Sequence, residues 1–84
     1  MGQREKLIER LITKPKDFTF YETEKLLNHF GYFKVPCGKT SGSRVAFANE
    51  KNDYIRMHKP HPRNTLKPYQ ITNLIYDLTE RGLI

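Results

Sequence analysis

At 84 residues the chain has room for one domain with a two-layer core and no deep cleft, so any chemistry sits on a shallow surface or against a partner. Fifteen Lys and Arg against nine Asp and Glu give a net charge of +6 and a pI near 9.6, which favours an acidic partner: nucleic acid, an anionic membrane or an acidic protein. A hydrophobic share of 37% excludes a disordered chain, and the lack of an apolar run of about 18 residues excludes a membrane span. The charged opening MGQREKLIER has no apolar centre for a signal peptide. The lone Cys37 forms no internal disulfide or zinc site. A soluble, cytoplasmic protein is expected. The charge is uneven: residues 31–67 hold eight Lys/Arg and two acids, while the flanks hold seven of each and cancel.

In chain order, Arg4–Thr13 reads as a short helix, with Leu7, Ile8, Leu11 and Ile12 on one stripe, stopped at Lys14-Pro15. Thr19-Phe20-Tyr21-Glu22 is a capping box. A second helix follows over Phe20–Phe30, with Phe20, Thr23, Leu27 and Phe30 inward, Leu26 beside them, and Gly31 as its left-handed stop. Tyr32–Cys37 reads as an edge strand, because Pro36 cannot donate to a ladder. Its alternation groups Phe33, Val35 and Cys37 on one face and Lys34 and Pro36 on the other. Gly38–Ser43 is a turn. Arg44–Ala48 and Tyr54–His58 alternate, with Val45, Phe47, Ile55 and Met57 inward, and the polar Asn49–Asp53 turn joins them. Lys59–Lys67 is a loop. Pro68 suits the first turn of a last helix carrying Ile71, Leu74, Ile75 and Leu78, which Gly82 ends.

Connections this short predict an antiparallel meander. The expected fold class is α+β in the order α-α-β-β-β-α, with the helices on one face of a three-stranded antiparallel sheet. The core is expected to join Val45, Phe47, Ile55, Met57, Leu74, Ile75 and Leu78 to Leu27 and Phe30. Lys34, Arg44, Tyr54, Arg56 and His58 fall on or near the opposite face. Tyr54 and Tyr32 are candidates for stacking on bases, although strands favour aromatic residues in any case. Gly38-Lys39-Thr40 is not a phosphate-binding P-loop, since it has neither the upstream glycine nor the strand-to-helix context.

Leu27–Tyr32 (a helix ending in Leu, then Gly and an aromatic), Gly42-Ser43 opening a strand, Met57-His58 closing another, and Leu66–Ile75 entering a helix through Leu-Lys together resemble the HicA toxins of bacterial toxin–antitoxin pairs. The resemblance runs from Phe20 to Ile84 and makes residues 1–84 a single HicA-like domain with an extra N-terminal helix at about residues 4–13. It implies a fold like the double-stranded RNA-binding domain and a metal-independent mRNA endonuclease that needs no cofactor. It also implies a HicB-like antitoxin as partner. One departure matters. The family's Gly-Ser-His carries its catalytic His directly after the Ser, and here the string is Gly42-Ser43-Arg44.

Metal-free RNA cleavage needs a base for the 2′-hydroxyl, an acid for the leaving oxygen and cations for the phosphorane. Arg44 cannot be the base, because a guanidinium stays protonated, but it can hold a phosphate bidentately. His58 is the candidate base, and His61, braced between two prolines, is second. His29 is given no site role. Phosphate contacts are expected from Lys39, Arg44, Arg56, Lys59 and Arg63, with His61 beside them and Gly42 and Ser43 offering backbone N–H groups as an anion nest. Three readings stand: an RNA-cleaving toxin, a nucleic-acid-binding module that has lost cleavage, and an interaction protein whose basic face docks an acidic chain.

Overall fold

The elements follow from local signals that the computed structural model, which describes residues 2–36, 44–60 and 63–84, places in space. They are α1 (Gln3–Ile12), α2 (Phe20–His29), β1 (Phe33–Val35), β2 (Arg44–Ala48), β3 (Tyr54–His58) and α3 (Pro68–Glu80). This is the α+β order expected. The strands form one antiparallel sheet in the order β1-β2-β3. Phe47 and Ile55 on its inner face join Leu11, Phe18, Leu26, Leu27, Ile71, Leu74 and Leu78 in one buried cluster, and Val45, Met57, Phe30 and Ile75 pack against it half-buried. Tyr32 and Leu66 are also buried there. Cys37 lies outside the described residues.

The Thr19 capping box forms as read. Its hydroxyl accepts from the Glu22 N–H at 3.1 Å, and Glu22 Oε1 accepts from the Thr19 N–H at 2.9 Å. Gly31 and Gly82, at φ of 90° and 73°, take the left-handed conformation that ends α2 and α3 without a Cβ penalty. The β2–β3 turn is held by Asn49, whose side-chain oxygen accepts from the Lys51 and Asp53 N–H groups at 3.0 and 2.9 Å. That local bond competes with continued strand and fixes the turn.

Helix α1 is fastened to the rest at two levels. Leu11 is fully buried, and Arg10 makes a two-toothed pair with Glu22, Nε to Oε2 at 3.0 Å and Nη2 to Oε1 at 3.1 Å. The same guanidinium reaches Asp17 and lies over the Phe18 ring, 5.6 Å from its centroid. Burial pushes the Glu22 carboxyl up, but Arg10 and the Thr19 N–H outweigh this and hold it below its ordinary value. The stripe predicted for α1 is corrected at one position: Ile12, at the last turn, is 54% exposed, because Leu11 takes the central place and the helix ends before the stripe can wrap further.

A larger correction concerns β1. Residues directly opposite in an antiparallel pair share a face. Lys34 stands opposite Phe47, and Phe33 and Val35 stand opposite Ala48 and Ala46. Phe33 and Val35 therefore lie on the outer face and Lys34 on the helix side of the exposed edge, the reverse of the placement expected for Lys34. The reason is Tyr32, which shares Lys34's parity. It is 3% exposed, and its hydroxyl donates to Asp53 Oδ2. Asp53 also accepts from Arg81, Nε to Oδ2 at 2.7 Å and Nη2 to Oδ1 at 3.2 Å, while Arg81 reaches the Tyr54 carbonyl at 3.0 Å. Tyr32 is thus part of the core, not a base-stacking residue.

Two outcomes follow from this packing. Leu11→Ala should cost about 2–5 kcal/mol, the range for a buried leucine, read as a fall in denaturant midpoint at constant slope; an unchanged midpoint would mean that α1 is not docked. Hydrogen bonds from Arg81 and then Tyr32 hold the Asp53 carboxyl below its ordinary value of 3.8. Its contribution to stability is then complete above that value and is lost as pH falls through the lower folded value. Melting temperature should fall on acidification below 3.8 and fall less steeply in Asp53→Asn; parallel curves would refute the linkage.

Candidate functional site

The β2–β3 register determines what the outer face can do. Arg44 stands opposite His58, Ala46 opposite Arg56, and Ala48 opposite Tyr54. With β1 added, the face carries three rows: Arg44 and His58; Val35, Ala46 and Arg56; Phe33, Ala48 and Tyr54. No Asp or Glu lies in any of the three strands. Arg44, Arg56 and His58 are exposed, and the Arg56 guanidinium lies over the Tyr54 ring, 5.1 Å from its centroid. A hollow of about 560 Å³ bordered by Pro36, Arg44, Ala46, Tyr54, Arg56 and His58 runs across this face. It is open and cationic, so it suits a polymer's backbone better than an enclosed small molecule.

Helix α3 sets the position of His58 from behind. Gln70, 6% exposed, donates from Nε2 to the His58 carbonyl at 2.8 Å and accepts from the Lys67 N–H at 3.0 Å. Arg81 holds the Tyr54 carbonyl at the other end of β3. The free edge of β3 is therefore gripped at both ends by side chains of α3 and its cap. This also blunts the edge against pairing with another chain.

The arginines separate into two groups. Arg4, Arg10 and Arg81 are engaged with Glu5, with Glu22 and Asp17, and with Asp53 and Asp77. Arg44, Arg56 and Arg63 make no ion pair among the described residues, where all the acids of the chain lie. No carboxylate of the chain lies within ion-pair distance of their guanidinium groups.

Of the residues expected to form the site, Arg44, Arg56 and His58 come together. Lys59 does not join them, since its ammonium turns to the Phe20 ring at 6.0 Å. Arg63 lies instead beside Lys16 and Lys67 around a separate hollow of about 270 Å³ at the entrance to α3. Backbone bonds build that corner, Phe20 N–H to the Asn64 carbonyl and Leu66 N–H to the Phe18 carbonyl, both 2.7 Å. Lys39, Gly42, Ser43 and His61 lie outside the described residues. Phe33, 56% exposed, is on the outer face and was missed by the alternation, which gives parity within a strand but not which parity faces out. Among the described residues no three His, Cys, Asp or Glu side chains are grouped to hold a metal, and no helix is long and apolar enough to cross a membrane.

The fold and this face define a small α+β domain with an exposed, cationic and aromatic sheet face whose strands carry no acid, and such a face is complementary in charge to an anionic polymer or an acidic protein. Comparison with protein families makes the identity particular: the family described as the HicA toxin of bacterial toxin–antitoxin systems matches residues 20–79, and the chain belongs to that family. Its counterpart is accordingly an antitoxin. The match begins at Phe20, so α1 lies outside it. No curated protein and no solved structure matches the chain.

Proposed function

We propose that this protein is the RNA-acting toxin of a HicA–HicB pair, working in the cytoplasm, and that it binds mRNA on the outer sheet face. The carrying observation is the register that sets Arg44 opposite His58, with Arg56 in the next row, on strands without a single acid. Phosphates would lie along Arg44 and Arg56, and Lys16, Arg63 and Lys67 at the entrance to α3 would hold a more distant part of the chain. A HicB-like antitoxin would silence the protein by covering the same face with acidic residues, with fast, salt-dependent association.

In the catalytic form of this reading, His58 takes the proton of a 2′-hydroxyl as its oxygen bonds to the neighbouring phosphorus. The bond from phosphorus to the 5′-oxygen breaks to leave a 2′,3′-cyclic phosphate, the departing oxygen takes a proton from a solvent water, and the hydroxide so formed is neutralised by the proton that His58 gained. Arg44 and Arg56 stabilise the phosphorane between these events. A second form is favoured by Arg44 itself, which occupies the place of the family's His in Gly-Ser-His: an RNA-binding protein without cleavage.

Inducible expression with and without the adjacent open reading frame, scored for growth and mRNA decay, tests the toxin assignment; growth unaffected without that partner gene would refute it. With purified protein, Arg44→Ala and Arg56→Ala should each reduce the slope of log affinity against log salt by about 0.7, one phosphate on a single strand. Slopes equal to wild type would remove those residues from the interface. For chemistry, cleavage in excess chelator should fall by at least about a hundredfold in His58→Ala. The non-cleaving form instead requires no cleavage in wild type and a gain in Arg44→His. A wild-type nuclease indifferent to His58→Ala would remove His58 from the reaction.

A further inference from the structure

The outer face carries a feature that phosphate binding does not use. Phe33 and Tyr54 flank Ala48 across the sheet and are 56% and 40% exposed. Two ladder spacings, about 10 Å, separate their Cα atoms, and only the methyl group of Ala48 lies between. Exposing an aromatic ring on a strand forfeits the burial that would stabilise the fold, and here two stand in one row. The row with Arg56 lies two residues away, about 7 Å along the strands, and Arg56 leans over Tyr54. Rings and cations therefore alternate along the face at intervals on the scale of one nucleotide.

We propose that the Phe33–Ala48–Tyr54 row is a stacking platform for unpaired bases, so that this face selects single-stranded RNA over duplex. The proposal rests on the RNA-binding reading above and adds to it which form of RNA is bound and which residues select it. A flat ring rewards only a base whose face is open, and bases in a duplex are already covered by their neighbours. A-form RNA offers a side chain only phosphates, 2′-hydroxyls and base edges, for which Phe33 has no use. A protein partner fits the row less well. The apolar part of the face is one Phe, one Tyr and small side chains, well short of the apolar centre that a stable protein interface requires, whereas each ring by itself matches one base. The cations in the adjacent rows lie where the backbone of such a strand would pass.

The test uses the full chain and a short RNA methylated at its 2′-hydroxyls, so that it resists cleavage, and carrying a fluorescent purine analogue. The RNA is offered as a single strand and annealed to its complement. Wild type should prefer the single strand and quench the purine. Phe33→Ala and Tyr54→Ala should each weaken single-strand binding by roughly five- to a hundredfold, the loss of one base–aromatic stack. The salt slope should stay unchanged, duplex binding should be unaffected, and Phe33→Tyr should restore affinity. Both residues are exposed, so melting temperatures near wild type are expected and will show that the variants fold. Single-strand binding unchanged in Phe33→Ala, with Arg44→Ala still flattening the salt slope, would overturn the platform and leave RNA binding standing. Binding of neither RNA form by wild type at low salt would overturn both. Loss of antitoxin binding in Phe33→Ala with RNA binding intact would give the row to the protein partner and overturn the proposal.

Discussion

Asp53 holds together parts of the chain that sequence keeps far apart. One carboxylate accepts from Tyr32 at the entrance to β1 and from Arg81 at the end of α3, while its own backbone leads into β3. Burial, then the bond to Asp53, pushes the Tyr32 phenol up, and the bond to Asp53 likewise raises Arg81. The group therefore stays in its charged-acceptor, neutral-donor, charged-donor form across the neutral range. Fixing Tyr32 inward fixes the parity of β1. Every side chain of a strand alternates, so one buried phenol commits Phe33 to the outside.

The outer face then follows from what the helices leave uncovered. α3 grips both ends of β3, through Gln70 at the His58 carbonyl and Arg81 at the Tyr54 carbonyl, and so holds the strand that carries Arg56 and His58. The acids of the chain stand elsewhere, in helices and turns, where Glu22 and Asp53 satisfy structural arginines. Arg44 and Arg56 are thereby left without an ion pair among the described residues. Replacing the family's His by Arg at position 44 exchanges a group that can accept a proton for one that cannot, while leaving a cation at that place. On the proposed reading, any proton transfer would then fall to the residue opposite, His58.

Helix α1 is an addition to the region that the family match covers, yet it is built into the same core. Leu11 contributes a fully buried side chain. Arg10 ties the helix to Glu22, which also caps α2. One carboxylate thus serves both the start of α2 and the attachment of α1, so the two helices are coupled through a single group.

Much of this was legible in the sequence because it is local. The Thr19–Glu22 capping box, the glycine stops, the stripe on α3, the alternation of β2 and β3 and the basic middle segment are each set by residues a few positions apart, and each forms as read. The pairing of Arg44 with His58 follows from the short Asn49–Asp53 turn, which leaves little freedom of register. Ile12, Tyr32, Lys34 and Phe33 were not legible. Ile12 stands exposed because α1 packs through Leu11 and ends too soon. Tyr32 and Phe33 are adjacent aromatic residues, one just before and one opening a strand of three residues, and alternation says only that they part company. Which one enters the core was decided by a hydroxyl finding Asp53, twenty-one positions away, and no local pattern encodes a contact of that range. Composition made the protein basic. The separation of its arginines into structural and available ones was a product of tertiary structure alone, because an ion pair depends on which carboxylates the fold brings within reach.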